Sequence, residues 1–101
     1  MSPLNLQNEI LIIVLYTPGH YYDSICFWIK NKNCIFTGDT IFVGITGRTK
    51  SKTSDISKLY ESVYKKILIL PDKTEIYPGH HYGHIPTITI KKNSHMWYRY
   101  V

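Results

Sequence analysis

Three short motifs place a histidine or an aspartate directly after a β-rich run. They are Thr17-Pro18-Gly19-His20, Phe36-Thr37-Gly38-Asp39-Thr40 and Tyr77-Pro78-Gly79-His80. Imidazole nitrogens and carboxylate oxygens are ligands for zinc, iron or manganese. A glycine precedes each of these residues, and glycine lets the backbone turn sharply and come close to an ion. Each motif alone is typical of an ordinary turn, but the three together predict a metal site.

Hydrophobic patterning predicts the strands that would position these motifs. The apolar run at 9–16 is interpreted as a central strand, and residues 24–30 and 33–37 as the two strands of a hairpin. Residues 75–77 are expected to form a further short strand, and residues 40–43 are a candidate extension of the sheet. Each motif would then stand at a strand end, where loops can gather ligands into one cleft.

A helix is predicted between the second and third motifs, over residues 55–70. Its apolar residues recur at spacings of three and four, which gives one apolar stripe: Ile56, Leu59, Tyr60, Val63, Ile67 and Leu70. Ser54 or Asp55 is expected to cap its first turn, and Pro71 to end it.

Composition limits the classes of function. A chain of 101 residues has room for one domain, and 44% hydrophobic residues exclude wholesale disorder. The net charge of +5 comes from lysines and arginines with no run longer than two, which favours a solvated basic surface. A small basic nucleic-acid-binding module remains an alternative that charge alone supports. The longest apolar run is too short to cross a membrane.

The two cysteines indicate a reducing compartment. A tight turn near residues 31 and 32 would place Cys26 opposite Thr37 rather than opposite Cys34. A disulfide between Cys26 and Cys34 is therefore not favoured, and a cytoplasmic location is expected.

The run from Tyr16 to Thr89 resembles the second half of a metallo-β-lactamase-fold hydrolase of the glyoxalase II (hydroxyacylglutathione hydrolase) type. The resemblance covers about three quarters of the chain. Besides the three motifs, it is carried by Gly38-Asp39-Thr40-Ile41-Phe42, Gly47-Arg48-Thr49, Leu59-Tyr60-Glu61-Ser62-Val63, Leu70-Pro71-Asp72-Lys73-Thr74 and Pro86-Thr87-Ile88-Thr89-Ile90.

The resemblance implies an α/β (α+β) fold that is half of an αββα sandwich. This half has a mixed, mostly antiparallel sheet with one main helix on one face. Residues 1–90 would form the C-terminal half of the family's domain, and residues 91–101 an aromatic and basic tail. The sheet face away from the helix would be bare, which predicts a separate N-terminal half as partner, or self-association.

The resemblance also implies roles for individual residues. His20 would be a ligand to a first metal, His80 to a second, and Asp39 would bridge both. Zinc is the expected metal, with iron or manganese as alternatives. Water held between the ions would attack a glutathione thioester. Arg48 and Tyr82 would lie near the cleft and contact this substrate.

The sequence departs from the family pattern in one respect that bears on activity. The family signature His-x-His-x-Asp-His is absent, because histidine occurs only at positions 20, 80, 81, 84 and 95. Each metal would keep two protein ligands, below the three or four of ordinary zinc sites. His81 and His84 could substitute, although Gly83 and Pro86 oppose the helix that would align His80 with His84.

A truncated hydrolase, inactive by itself, is therefore predicted. The alternatives are a non-catalytic fragment of a split or decayed gene and one half of an iron enzyme that oxidises glutathione persulfide.

Overall fold

A mixed five-stranded sheet forms the framework of the computed structural model, which describes residues 10–80 and 87–94. The strands are β1 (Ile12–Tyr16), β2 (Ile25–Ile29), β3 (Cys34–Gly38), β4 (Glu75–Pro78) and β5 (Ile88–Thr89). They lie in the sheet in sequence order. All neighbouring strands are antiparallel except β3 and β4, which are parallel and joined through the main helix. The predicted mostly antiparallel mixed sheet is confirmed.

The hairpin of β2 and β3 has the predicted register. Phe27 lies opposite Phe36 and Ile29 opposite Cys34, with a 3-10 turn at Lys30–Lys32 between the strands. This register places Cys26 beside Thr37, and its sulfur lies 3.9 Å from the Thr37 carbonyl oxygen. Both cysteines are free thiols.

The main helix begins with α1 (Ile56–Ser62) and continues as a π-helical segment, Val63–Ile67. Asp55 caps it, because its carboxylate accepts a hydrogen bond from the Lys58 backbone N–H at 3.1 Å. In the π segment the Leu68 N–H donates to the Val63 carbonyl, five residues back. A helix is thus confirmed in the predicted region, but it ends at Ile67, and residues 68–70, which were predicted to be helical up to Pro71, form a turn.

The helix packs on the sheet through a single row of side chains. Leu59, Val63 and Ile67 lie four residues apart and are fully buried. They form one buried cluster with residues of the sheet, of the loop after β3, of the turn after the helix and of the segment after β5: Cys26, Ile35, Ile41, Val43, Leu70, Ile76, Ile88 and Ile90. Ile56 and Tyr60, expected on the same stripe, belong to the neighbouring row and are 53% and 51% exposed. The buried stripe is therefore narrower than predicted.

The opposite face of the sheet is apolar and exposed. Its side chains are aligned across four strands by the strand register, with Val14 opposite Phe27, Phe27 opposite Phe36, and Phe36 opposite Tyr77. We call this surface the open face; it consists of Ile12, Val14, Tyr16, Ile25, Phe27, Phe36 and Tyr77, each between 39% and 57% exposed.

Two sequence-based expectations about strands are wrong. The apolar run at 9–16 was expected to be central and buried, but in the described sheet β1 is an edge strand and Ile13 too is exposed. An apolar run identifies a strand without fixing its place in the sheet. Residues 40–43 do not extend the sheet. Instead, Ile41 pairs with Thr46 in an isolated bridge that closes a tight loop.

A second short helix, α2 (Ile90–Ser94), follows β5 directly. The proposed division between residues 90 and 91 stays a prediction, since residues 95–101 lie outside the described part of the chain. Across residues 10–80 and 87–94, no helix has the length and apolar character needed to cross a bilayer.

Candidate metal centre

Asp39 and His80 come together because they follow neighbouring parallel strands. The carboxyl ends of β3 and β4 meet at one edge of the sheet, where the Gly79 N–H donates to the Gly38 carbonyl at 2.7 Å. The His80 Nδ1 atom then lies 2.9 Å from Asp39 Oδ1. A Cβ atom at Gly79 would lie 3.0 Å from that same carboxylate oxygen. Glycine at this position therefore gives the two side chains room to meet.

His20 approaches the same carboxylate from the loop after β1. Its Nε2 atom lies 3.8 Å from Asp39 Oδ2, while its Nδ1 atom lies 2.6 Å from the backbone carbonyl oxygen of Arg48. The side chain of His20 is 17% exposed, compared with 43% for Asp39 and 55% for His80. The three predicted ligand residues thus lie together, with Asp39 between the two histidines.

The loop that carries His20 docks on the main helix through three consecutive carbonyl groups. The Pro18 carbonyl accepts from the Ser62 hydroxyl at 2.7 Å, and the Gly19 carbonyl accepts from the Asp55 N–H at 2.8 Å. The His20 carbonyl accepts from the Ser54 hydroxyl at 2.6 Å. These bonds fix the backbone on both sides of the histidine.

Gly19 has a different role from the one expected. Its φ angle is +145°, and a Cβ atom there would lie 2.3 Å from the Leu59 Cα atom. From the sequence, this glycine is expected to let the backbone come close to an ion. The structure shows that it permits close approach of the loop to the helix.

Two buried threonines connect the first two motifs beneath the ligand residues. The hydroxyl of Thr17 lies 3.4 Å from that of Thr40 and 3.3 Å from the Cys26 sulfur. Burial raises the pKa of the Cys26 thiol above its usual value. Cys26 is therefore a neutral thiol at physiological pH, and it acts here as a packing residue.

A cavity of about 620 Å³ opens beside the three ligand residues. Phe42 and Ile45 supply apolar surface to its wall, and Arg48 and Lys50 line it as exposed cations. Arg48 thus lines the cleft, and it contacts the His20 ring through its backbone carbonyl oxygen. Tyr82, the other predicted substrate contact, lies outside the described residues, as do His81 and His84.

Sequence reasoning missed the contributions of Gly47 and Ser54 to the site. A Cβ atom at Gly47 would lie 1.9 Å from the Asp39 carbonyl oxygen and 2.9 Å from His20 Nδ1. Ser54 was considered only as a helix cap, yet its hydroxyl bonds the His20 backbone. Neither function has a local sequence signal, because each depends on contacts with residues 8 to 34 positions away.

The donor set falls short of a complete metal site. In residues 10–80 and 87–94, no three His, Cys, Asp or Glu side chains are arranged as ligands of a single ion. Shared between two ions, His20, Asp39 and His80 give each ion two protein ligands, whereas catalytic zinc sites use three. The described residues fit part of a metal centre and need further ligands to hold an ion.

Comparison with known proteins identifies the family. The model of the metallo-β-lactamase superfamily matches residues 3–81. Hydroxyacylglutathione hydrolase of Francisella tularensis subsp. novicida is 39% identical over 69 residues, which are 68% of this chain and 27% of that enzyme. The chain spans about a quarter to a third of the length of the curated relatives it matches.

Solved structures agree in fold. The ETHE1 protein of Myxococcus xanthus superposes with a TM-score of 0.79 and 35% identity, over 87% of this chain and 38% of that chain. TTHA1623, solved in a di-iron-bound form, superposes with a TM-score of 0.75 and 28% identity, over 96% of this chain and 47% of that chain. Since the family model covers most of the sequence, this chain belongs to the metallo-β-lactamase superfamily, a family of metal-dependent hydrolases.

Proposed function

We propose that this chain contributes His20, Asp39 and His80 to a two-metal hydrolytic site of the hydroxyacylglutathione hydrolase type. The observation that carries the proposal is the convergence of both histidines on the two oxygens of one carboxylate. In the proposed site Asp39 would be shared by two ions, and His20 and His80 would each help to hold one of them. Bound metal ions in such a site make water nucleophilic near neutral pH. Zinc is the proposed metal, with iron or manganese as alternatives.

The ligands that are missing must come from another polypeptide segment. The sequence of 101 residues contains no His-x-His-x-Asp-His motif, so the proposed site is incomplete without a segment that supplies this motif. We propose that the segment carrying it covers the open face, because this face is the large apolar surface that the described residues leave exposed. A second copy of this chain is the alternative occupant. By itself, the chain is proposed to have no hydrolytic activity.

A glutathione thioester is the proposed substrate. Glutathione carries two carboxylates, and the cavity beside the ligand residues combines apolar Phe42 and Ile45 with the cations Arg48 and Lys50. Cations at the cavity would bind the carboxylates, and the apolar wall would contact the acyl group. A cytoplasmic location, where glutathione is abundant and Cys26 and Cys34 stay reduced, agrees with this assignment.

Metal content and turnover together test the proposal. The purified chain is incubated with zinc, iron or manganese, dialysed, and assayed for bound metal and for thioester cleavage. The same assays follow after addition of a separately produced N-terminal half from a hydroxyacylglutathione hydrolase relative. We expect less than one tightly bound ion and no turnover for the chain alone, and both metal and turnover for the mixture.

The Asp39→Asn variant serves as the matched control, because it keeps the size of the side chain and removes the bridging charge. It should abolish metal retention and turnover in the mixture. Turnover by the chain alone would contradict the proposed inactivity. A mixture that assembles yet stays inactive would favour a non-catalytic fragment, and oxygen consumption with glutathione persulfide would favour the alternative of an iron enzyme that oxidises this persulfide.

A further inference from the structure

The segment from Gly47 to Asp55 contacts both the ring and the backbone of His20. The Arg48 carbonyl oxygen lies 2.6 Å from the ring Nδ1, and the Ser54 hydroxyl lies 2.6 Å from the His20 carbonyl oxygen. One residue later, the Asp55 N–H donates to the Gly19 carbonyl. We call residues 47–55 the clasp. It reaches His20 from a part of the sequence with no ligand residue of its own.

The contact with Arg48 determines where the ring proton of His20 lies. A backbone carbonyl oxygen can only accept a hydrogen bond, so the 2.6 Å contact requires that Nδ1 carries the hydrogen. In the neutral ring the other nitrogen, Nε2, then has a free lone pair. This is the nitrogen that faces Asp39 Oδ2, at 3.8 Å.

The hydrogen bonds of the Ser54 hydroxyl also have a defined direction. The single hydroxyl hydrogen of Ser54 is donated to the His20 carbonyl, which can only accept. The Ser51 hydroxyl, 2.8 Å away, must therefore donate to the Ser54 oxygen, and the Ser51 N–H donates to the same atom at 3.2 Å. All donors and acceptors of the Ser54 hydroxyl are in use, so its direction is fixed.

We infer that the clasp is a positioning element which holds His20 in the Nδ1–H tautomer and aims Nε2 at Asp39 before any metal is bound. Ser54 and Gly47 are its positioning residues. Ser54 fixes the His20 backbone, and Gly47 lets the clasp pass within contact of the His20 ring and the Asp39 backbone. The inference rests on the proposed function for its purpose, whereas the tautomer itself is a property of the metal-free chain.

NMR of the histidine ring nitrogens tests the inferred tautomer of His20 directly. The full chain, labelled with ¹⁵N at histidine and free of metal, is examined by long-range ¹H–¹⁵N correlation above neutral pH, where imidazole is neutral. Signals are assigned by the His20→Gln variant. The same spectra can be recorded on sedimented protein by solid-state methods if the chain self-associates. We expect His20 to show a protonated Nδ1 and an unprotonated Nε2.

Substitutions at Ser54 then separate positioning from general destabilisation. Ser54→Ala, which removes the bond to the His20 backbone, should lower the ratio of the Nδ1–H to the Nε2–H tautomer of His20 by up to about five-fold, the limit reached if the whole of one lost hydrogen bond is felt at the ring. Ser54→Thr, which keeps the hydroxyl, should restore the wild-type spectrum. Ser57→Ala, the same change at an exposed serine of α1, should leave the His20 signals unchanged.

Gly47→Ala provides a second variant, since its new methyl group would overlap the Asp39 carbonyl and the His20 ring and should displace the ring signals. The inference is overturned if wild-type His20 is the Nε2–H tautomer. It also fails if folded Ser54→Ala gives the same His20 spectrum as Ser57→Ala. None of these spectra depends on hydrolysis, so failure of the proposed function would leave them unaffected.

Discussion

Asp39 is the residue on which the candidate site converges. Each of its carboxylate oxygens faces a different histidine, with Oδ1 2.9 Å from His80 and Oδ2 3.8 Å from His20. Loss of either histidine would leave one oxygen without its neighbour, while loss of Asp39 would remove the group that both share. A carboxylate that faces a different histidine with each oxygen is suited to the bridging role proposed for Asp39.

Gly19 shows how strongly a residue with no reactive group can determine the site. Gly19→Ala should lower the free energy of unfolding by about 3 kcal/mol, because the methyl group would collide with the Leu59 backbone at a φ of +145°. Gly38→Ala is the matched control. Its φ is +52° and nothing lies within 4 Å of the added carbon, so only about 1 kcal/mol should be lost. Urea denaturation measures both, and equal losses would contradict the role of Gly19 in helix contact.

At the scale of elements, residues at both ends of α1 contact the loop that carries His20. Asp55 caps α1 with its side chain, and its backbone N–H bonds the loop that carries His20. Ser62, at the end of the same helix, bonds the same loop. The position of His20 therefore depends on where α1 begins and on how it lies on the sheet.

The helix cap can be tested separately from the loop contact. Asp55→Ala removes the carboxylate that accepts from Lys58 and keeps the backbone N–H that reaches Gly19, so it should cost about 1 kcal/mol of stability. Asp55→Ser keeps a capping oxygen and should recover most of this loss. Thermal and urea unfolding give the values. A larger loss for Asp55→Ser than for Asp55→Ala would show that capping is not the function of this residue.

Local sequence signals predicted which residues form the helix and most of the strands. They did not predict how these elements are placed in the fold or which distant residues contact them. The hairpin register, and a helix cap at Ser54 or Asp55, were predictable because turn length and capping chemistry act over a few residues. The position of β1 at the edge of the described sheet was not, since its apolar residues fit a central strand equally well. The proximity of His20, Asp39 and His80 was predictable from their motifs, whereas Ser54 and Gly47 act through contacts that no short motif encodes.

At the scale of the whole molecule, the sheet has one covered and one uncovered face. The helix covers the face that carries Cys26, Ile35 and Ile76, while Phe27 and Phe36 on the open face keep 42% and 46% of their surface exposed. Adjacent exposed aromatic and aliphatic side chains of this kind mark an interaction surface, or cause self-association when no partner is present.

Charge on the open face should therefore change how the chain associates. Introducing lysine at both Phe27 and Phe36 should shift the isolated chain from associated species to monomer, and should block complementation by an N-terminal half. Tyr60→Lys, at a similarly exposed residue on the outer side of α1, is the control and should do neither. Sedimentation velocity follows the mass. An unchanged distribution for the double variant would rule out this face as the association surface.

Two kinds of contact hold the residues of the site in place. This difference predicts which residue is released first when the fold opens locally. Asp39 and His80 follow adjacent strands whose backbones bond each other beside the site, whereas His20 is held through side-chain hydroxyls and the first turn of a helix. Local opening that detaches the helix start would release His20 and leave the Asp39–His80 pair intact. Asp39 and His80 thus form a pair fixed by the sheet, whereas fluctuations far smaller than unfolding would be enough to detach His20 from it.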